Sequence, residues 1–166
     1  MDDGGQGYND TVNIANNATI KDWADIKGGQ GNDTITAGDN LTLANSAGIH
    51  GDWGNNGSAV NNTGDGNDII TIGNNLTMSG GSIISGGGGN DEITIGENAT
   101  ISGNSTIDGG AGNDTISMTN GTQITNSNIL MGDGVNTLNI TRDSTEVNRG
   151  INLDSVKIKG GADRDV

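Results

Sequence analysis

The chain repeats itself with a period of 23 residues. An Asn-Asp pair precedes a short alternating run in five places, with the aspartate at Asp10, Asp33, Asp68, Asp91 and Asp114. The one longer interval, between positions 33 and 68, is a repeat plus an insertion at residues 52–63. A sixth, degenerate copy begins near Gly132. A fixed period of this length predicts a solenoid, in which each coil packs only against its neighbours.

Each copy contains three short runs with a period of two, which in the fourth copy lie at residues 92–95, 99–101 and 105–107. Alternation places the apolar side chains on one face of a strand and Thr, Ser or Asn on the other. Stacked copies therefore form five rows that are apolar at nearly every position. The rows are Val12, Ile35, Ile70, Ile93, Ile116 and Leu138; Ile14, Ala37, Ile72, Ile95, Met118 and Ile140; Ala18, Leu41, Leu76, Ala99 and Thr122; Ile20, Leu43, Met78, Ile101 and Ile124; and Ile26, Ile49, Ile84, Ile107 and Leu130.

Three strands and three turns in 23 residues predict an all-β chain, a three-sided parallel β-solenoid (a β-helix) of about six coils. The strand and turn lengths resemble those of right-handed pectate-lyase-like coils more than those of left-handed hexapeptide coils, so we expect a right-handed sense. The 31 glycines disfavour helical folds, because an interior glycine destabilises a helix by about 0.5–1 kcal/mol. Rows of isoleucine supply a core although aromatic residues are only 2% of the chain. We expect the solenoid to cover residues 1–141, and residues 142–166 to form a last coil or cap, or a docking surface for another subunit.

A glycine-rich hexapeptide ends in the Asn-Asp pair of four copies, at residues 28–33, 63–68, 86–91 and 109–114. Glycines permit positive φ and expose carbonyls inside a tight turn, and the aspartate adds a carboxylate. In-register stacking places the aspartates in a column about 5 Å apart, where like charges repel unless cations or protons intervene. The candidate ligands are Asp10, Asp33, Asp68, Asp91, Asp114, Gly28, Gln30, Gly31, Gly64, Asp65, Gly66, Gly86, Gly88, Gly89, Gly109, Ala111 and Gly112.

Over about residues 4–136, these hexapeptides resemble the calcium motif of RTX (repeats-in-toxin, haemolysin-type) proteins. The resemblance implies Ca²⁺ held between adjacent turns, since calcium takes six to eight oxygens and one turn cannot supply them. RTX β-rolls repeat every nine residues, whereas one turn in each coil carries the motif here, so we expect a single column of three ions. One or two weaker sites are expected at the ends, where residues 4–10 have one residue too many and Asn136 replaces the aspartate. The alternative is a column of aspartates that cap turns without metal.

The formal charge is −14, and residues 1–141 hold 16 acidic residues against Lys21 and Lys27. This balance disfavours a nucleic-acid partner, and no apolar run is long enough to predict a membrane span. An acidic chain rich in Gly and Asn is expected to be largely disordered until calcium binds. Folding coupled to calcium suits a secreted, extracellular or bacterial cell-surface protein, as the RTX resemblance also implies.

We expect a structural or interaction module, such as the stalk of an adhesin, matrix or toxin-related protein, which could stack end to end into fibres. Its expected partners are calcium, a second copy of itself, or a cell-surface or polysaccharide ligand. An ice-binding solenoid with outward Thr rows is one alternative. A polysaccharide-active β-helix enzyme is another, although His50 is the only histidine and every arginine lies in the tail, so no enzyme is expected. The insertion, with Trp53, is expected to be a surface loop or a sugar-contacting loop. The chain begins almost at once with a coil, which suggests a missing preceding segment or stacking on another chain.

Overall fold

The computed structural model describes residues 7–52, 66–141 and 151–161, and these residues form six coils of three strands each. Coil 1 contains β1 (Thr11–Ile14), β2 (Thr19–Lys21) and β3 (Asp25–Gly29); coil 2, β4 (Thr34–Ala37), β5 (Thr42–Ala44) and β6 (Gly48–Asp52); coil 3, β7 (Ile69–Ile72), β8 (Thr77–Met78) and β9 (Ile83–Gly88); coil 4, β10 (Glu92–Ile95), β11 (Thr100–Ile101) and β12 (Thr106–Ala111); coil 5, β13 (Thr115–Met118), β14 (Gln123–Thr125) and β15 (Asn128–Gly132); and coil 6, β16 (Thr137–Ile140), β17 (Asn152–Asp154) and β18 (Lys157–Gly160).

Equivalent strands of successive coils pair in parallel and build three sheets of six strands. The first sheet runs from β1 to β16, the second from β2 to β17, and the third from β3 to β18. The chain is therefore an all-β, three-sided parallel β-solenoid, which confirms the predicted fold class. Within the described ranges, no helix has the length and apolar character needed to cross a bilayer.

The register of the first sheet follows the sequence repeat. Thr11 pairs with Thr34 and Thr34 with Ile69, so the insertion is accommodated without disturbing the stack. One predicted row is wrong at its last member, because Ile107 pairs with Ile129 and not with Leu130. Three residues join Ile124 to β15 where four join Ile101 to β12, which shifts the register by one. Ile129 is therefore fully buried, and Leu130 lies on the outer face.

The core is a continuous stack of the predicted rows. The buried hydrophobic residues of coils 2 to 5 are at most 3% exposed, and Ile35, Ile70, Ile93 and Ile116 have no exposed surface, whereas the equivalent Val12 of coil 1 is only partly buried. Fully burying an aliphatic side chain stabilises a fold by about 1.5–3 kcal/mol. Stability is thus concentrated in the central coils, where both neighbours cover each side chain.

Asparagines stack at the turn between the first and second sheets. Asn17, Asn40 and Asn75 each have φ of 61° and Asn98 has 59°, a left-handed conformation that asparagine tolerates. The Nδ2 of Asn40 donates to Asn17 Oδ1 at 2.9 Å, and that of Asn75 donates to Asn40 Oδ1 at 3.0 Å. Each amide is both donor and acceptor, so this column of side chains satisfies itself without an ion.

We expect Ile93→Ala to lower the free energy of unfolding by about 2–5 kcal/mol, because it leaves a cavity between two covering coils. Val12→Ala should lower it by much less, since the site is already half open to solvent. Urea unfolding followed by circular dichroism in calcium-containing buffer compares the two variants. Equal losses would contradict a core concentrated in the central coils.

Candidate metal centre

The corner turns, which join the third strand of one coil to the first strand of the next, contain the glycine-rich hexapeptides. Their backbone needs glycine, because φ is 121° and 117° at Gly87 and Gly89, and 108° and 129° at Gly110 and Gly112. Side chains other than glycine rarely adopt these angles. A Cβ on Gly89 or Gly112 would also collide with the carbonyl oxygen of the equivalent glycine in the preceding turn. The corner turns therefore stack in direct backbone contact, as the hexapeptide pattern requires.

The structure brings the four motif aspartates together in one buried column. Asp33 and Asp68 are each 1% exposed, Asp91 is 3% and Asp114 is 2%. Each Oδ1 accepts a hydrogen bond from the backbone N–H of the aspartate one turn before it. The N···Oδ1 distances are 2.7 Å from Asp10 to Asp33, 2.7 Å from Asp33 to Asp68, 2.8 Å from Asp68 to Asp91 and 2.9 Å from Asp91 to Asp114. One oxygen of each carboxylate is thus committed to holding adjacent turns in register.

The second oxygen of these carboxylates faces other acceptors. Among the described residues, Oδ2 of Asp33, Asp91 and Asp114 is buried and receives no hydrogen bond. Each of these oxygens lies beside a glycine Cα and close to a carbonyl oxygen of the following turn. A Cβ added to that glycine would collide with both oxygens, which shows how near they are. These sets are Asp33 Oδ2 with Gly51 O beside Gly28, Asp91 Oδ2 with Gly109 O beside Gly86, and Asp114 Oδ2 with Met131 O beside Gly109. Two buried acceptors that face the same small space favour a cation or a proton beside them.

The last corner turn provides an internal comparison, because Asn136 replaces the aspartate there. Its Oδ1 accepts the Asp114 N–H at 2.7 Å, as an aspartate would. Its Nδ2 donates to three carbonyl oxygens of its own turn, at 3.2 Å to Gly132 and 3.4 Å to both Asp133 and Gly134. The atom that replaces Oδ2 is therefore a donor surrounded by carbonyls. A carboxylate in the same cradle would need a positive species where the amide supplies hydrogens.

Burial makes these carboxylates weak acids. Desolvation raises the pKa of Asp91 to about 7, although the backbone N–H of Asp68 lowers it, and the neighbouring Asp114 charge raises it further. Desolvation likewise raises the pKa of Asp114 to about 6, and raises that of Asp33. The charged forms are unfavourable at neutral pH without a compensating cation.

The donor set consists of carboxylate and carbonyl oxygens, which fits a hard cation such as calcium. Three of the predicted glycines lie beside the carboxylates: Gly28, Gly86 and Gly109. Four others occupy an equivalent place three residues further along each turn and stack on one another: Gly31, Gly66, Gly89 and Gly112. The carbonyl of Ala111 accepts the Gly89 N–H at 2.8 Å and so also holds the stack. The positions of the remaining candidates vary. Gln30 is half-buried, Gly88 is buried at the end of β9, Asp10 lies exposed in the first turn, and Gly64 and Asp65 are outside the described residues.

One acidic residue of the corner was missed. Asp52 was placed in the insertion, but it is the last residue of β6, pairs with Gly29 and is 2% exposed. Asp33, Asp52 and Asp68 each place a carboxylate oxygen within 4.8 Å of the other two. Counting the register onward from Ile49 would have placed Asp52 in the corner turn.

The third sheet also aligns a histidine, a serine and an aspartate that the sequence did not bring together. His50 pairs with Ser85, and Ser85 with Asp108, on the outer face. Burial lowers the pKa of His50 to about 4, against the opposing effect of Asp25, whose Oδ1 lies 3.8 Å from His50 Nε2. Ser85 is 1% exposed, so its hydroxyl does not meet solvent in this conformation. His50 and Ser85 are therefore packed away from solvent, and the imidazole is uncharged at neutral pH.

We expect the metal-free protein to lose stability as pH rises from about 4 to about 7. In that interval the unfolded aspartates have released their protons, while the folded ones, with raised pKa values, retain them. Each such group lowers the free energy of unfolding by up to about 1.4 kcal/mol per pH unit. Thermal unfolding in chelator across this range measures the slope, which excess calcium should remove or reverse. A metal-free protein most stable above pH 7 would contradict the assignment.

Comparisons of this chain with protein families, with curated proteins and with solved structures find no match. The chemical assignment of the corner therefore depends on its own geometry.

Proposed function

We propose that the chain is a calcium-stabilised structural or interaction module, secreted or displayed on a cell surface, whose folding is coupled to calcium binding. The observation that carries this proposal is the set of buried Oδ2 atoms of Asp33, Asp91 and Asp114, which face carbonyl oxygens and receive no hydrogen bond from the described residues. Cations between successive corner turns would bind the carboxylates and carbonyls together. The ion then acts as a folding ligand and not as a catalyst.

The free energies involved favour folding that is coupled to calcium binding. A buried acceptor without a partner costs about 1–3 kcal/mol, and more if it is charged. The net stability of a domain is only about 5–15 kcal/mol, so several such carboxylates in one column can decide whether it folds. A ligand that binds only the folded state stabilises it in proportion to the logarithm of the ligand concentration. Calcium at extracellular levels is therefore expected to switch folding on.

Calcium fits the corner better than magnesium does. Magnesium requires near-ideal octahedral geometry and usually retains several waters, whereas calcium accepts irregular sets of protein oxygens. The corner offers closely stacked carbonyls next to buried carboxylates, with glycines in place of bulkier residues. A rigid column of this kind suits a stalk, to which each coil adds about 4.8 Å of length.

Ice binding is the second candidate, and one observation favours it. Thr36, Thr71 and Thr94 lie in exact register on the outer face of the first sheet. The neighbouring row is interrupted, because Ile69 and Glu92 follow Thr34. A thermal-hysteresis measurement in calcium tests this candidate, and we expect no hysteresis.

Calcium addition to the chelated protein should produce β-sheet circular dichroism, and chelation should abolish it. The expected physical cause is compensation of the buried carboxylates. Light scattering in the same titration separates a monomeric module from one that stacks into fibres. Full β signal in excess chelator at neutral pH, unchanged by calcium, would contradict the proposal.

Asp91→Asn should have opposite effects with and without calcium. In chelator, the new amide can donate to carbonyls as Asn136 does, so the variant should be about 1–3 kcal/mol more stable than the wild type. In calcium it should be the less stable protein, because a charged ligand is lost. The folded fraction by circular dichroism in chelator with a stabilising osmolyte, and the unfolding free energy in calcium, test this reversal. Glu97→Gln, which removes an exposed charge, is the matched control and should change neither value by more than about 0.5 kcal/mol. A shift of the same sign in both buffers would refute the role of Asp91.

A further inference from the structure

Asp52 interrupts the repeat pattern at the corner. It pairs with Gly29, and the same position is glycine at Gly87 and Gly110, which pair with each other. A Cβ on Gly87 would lie 2.5 Å from the Asp52 Cβ, so the aspartate side chain occupies space that only a glycine neighbour leaves open. The glycine of the next turn thus allows one additional carboxylate into the stack.

This additional carboxylate joins two members of the aspartate column. Asp33, Asp52 and Asp68 are at most 2% exposed, and each has an oxygen within 4.8 Å of the others. Asp52 Oδ2 accepts the Gly88 N–H at 3.2 Å, so the carboxylate is held against the following corner turn. Three buried carboxylates at this separation repel one another strongly unless a cation lies among them.

A second observation indicates that the cluster is directed at a ligand. Asp33 Oδ2 is buried and receives no hydrogen bond from the described residues. It lies next to the carbonyl oxygen of Gly51, the residue that precedes Asp52, because a Cβ on Gly28 would collide with both atoms. The buried Oδ2 of Asp33 therefore faces the peptide group between Gly51 and Asp52.

We propose that Asp33, Asp52 and Asp68 form a three-carboxylate site for a divalent, oxygen-preferring cation, filled before the other positions of the column. The proposal rests on the proposed function, because it shares two aspartates with the calcium column, and it adds a residue and an order of binding. Calcium affinity increases with the number of charged ligands. This site should bind calcium at least ~10-fold more tightly than the positions that Asp91 and Asp114 contribute to.

The test is calcium titration of the full chain against a chromophoric chelator. Asp52→Asn removes the charge with little change in shape, and Asp52→Gly installs the residue of the other turns. Both should abolish the tightest binding step and leave the weaker ones, and Glu97→Gln should leave all steps unchanged. If both Asp52 variants retain the tightest step while calcium still induces folding, this inference is overturned and the proposed function stands. If the wild type binds no calcium, both are overturned.

Terbium luminescence tests the site even if the Asp52 variants do not fold. Trp53 follows Asp52 directly in the chain, whereas Trp23 lies in the turn between β2 and β3, at a different corner. The first equivalent of Tb³⁺ should be sensitised by tryptophan and displaced by calcium. Trp53→Phe should remove most of this emission, and Trp23→Phe should preserve it. Equal emission from the two variants, or greater loss with Trp23→Phe, would overturn the site.

Discussion

The whole stack depends on how a buried carboxylate divides its two oxygens between neighbouring turns. The Oδ1 atoms accept N–H groups along the column, for example from Asp33 to Asp68 at 2.7 Å, and this bond exists only when the coils are in register. The Oδ2 atoms of Asp33, Asp91 and Asp114 face carbonyl oxygens, so their burial is the part of the arrangement that destabilises the fold. The register of the coils and the compensation of the buried charge are therefore linked. An aspartate side chain cannot turn to solvent without breaking the hydrogen bond that holds the adjacent coil in register.

The contrast between two corners explains why we propose an ion at only one of them. At the turn after the first sheet, amides such as Asn40 and Asn75 donate to and accept from one another. At the corner turns the stacked side chains are carboxylates, which only accept. The column of amides pairs with itself, whereas a column of ionised carboxylates would need cations. The same stacking therefore gives one self-sufficient turn and one turn at which we propose that calcium binds.

Periodicity predicted the solenoid, its rows and the aspartate column, since in-register stacking converts sequence spacing directly into spatial neighbours. It failed where the period itself changes. One residue is missing before β15, so Ile129 and not Leu130 enters the core, and the insertion concealed Asp52 at the end of β6. The donor role of Asn136 could not be predicted either. The sequence shows that an amide replaces a carboxylate, but not which carbonyl oxygens its hydrogens contact.

Asn136 also determines where the proposed calcium column ends. Its Oδ1 continues the register by accepting the Asp114 N–H, while its Nδ2 supplies the hydrogens that a cation would otherwise replace. The turn that leads into coil 6 is thus compensated by an amide, whereas Oδ2 of Asp33, Asp91 and Asp114 receives no hydrogen bond from the part of the chain that the structure describes. Dependence on calcium should accordingly be strongest in the middle of the solenoid, where buried aspartates coincide with the fully covered isoleucine rows. Because the same coils hold both the largest hydrophobic stabilisation and the largest electrostatic cost, the calcium that we propose to bind there would control the part of the chain on which all the other coils depend.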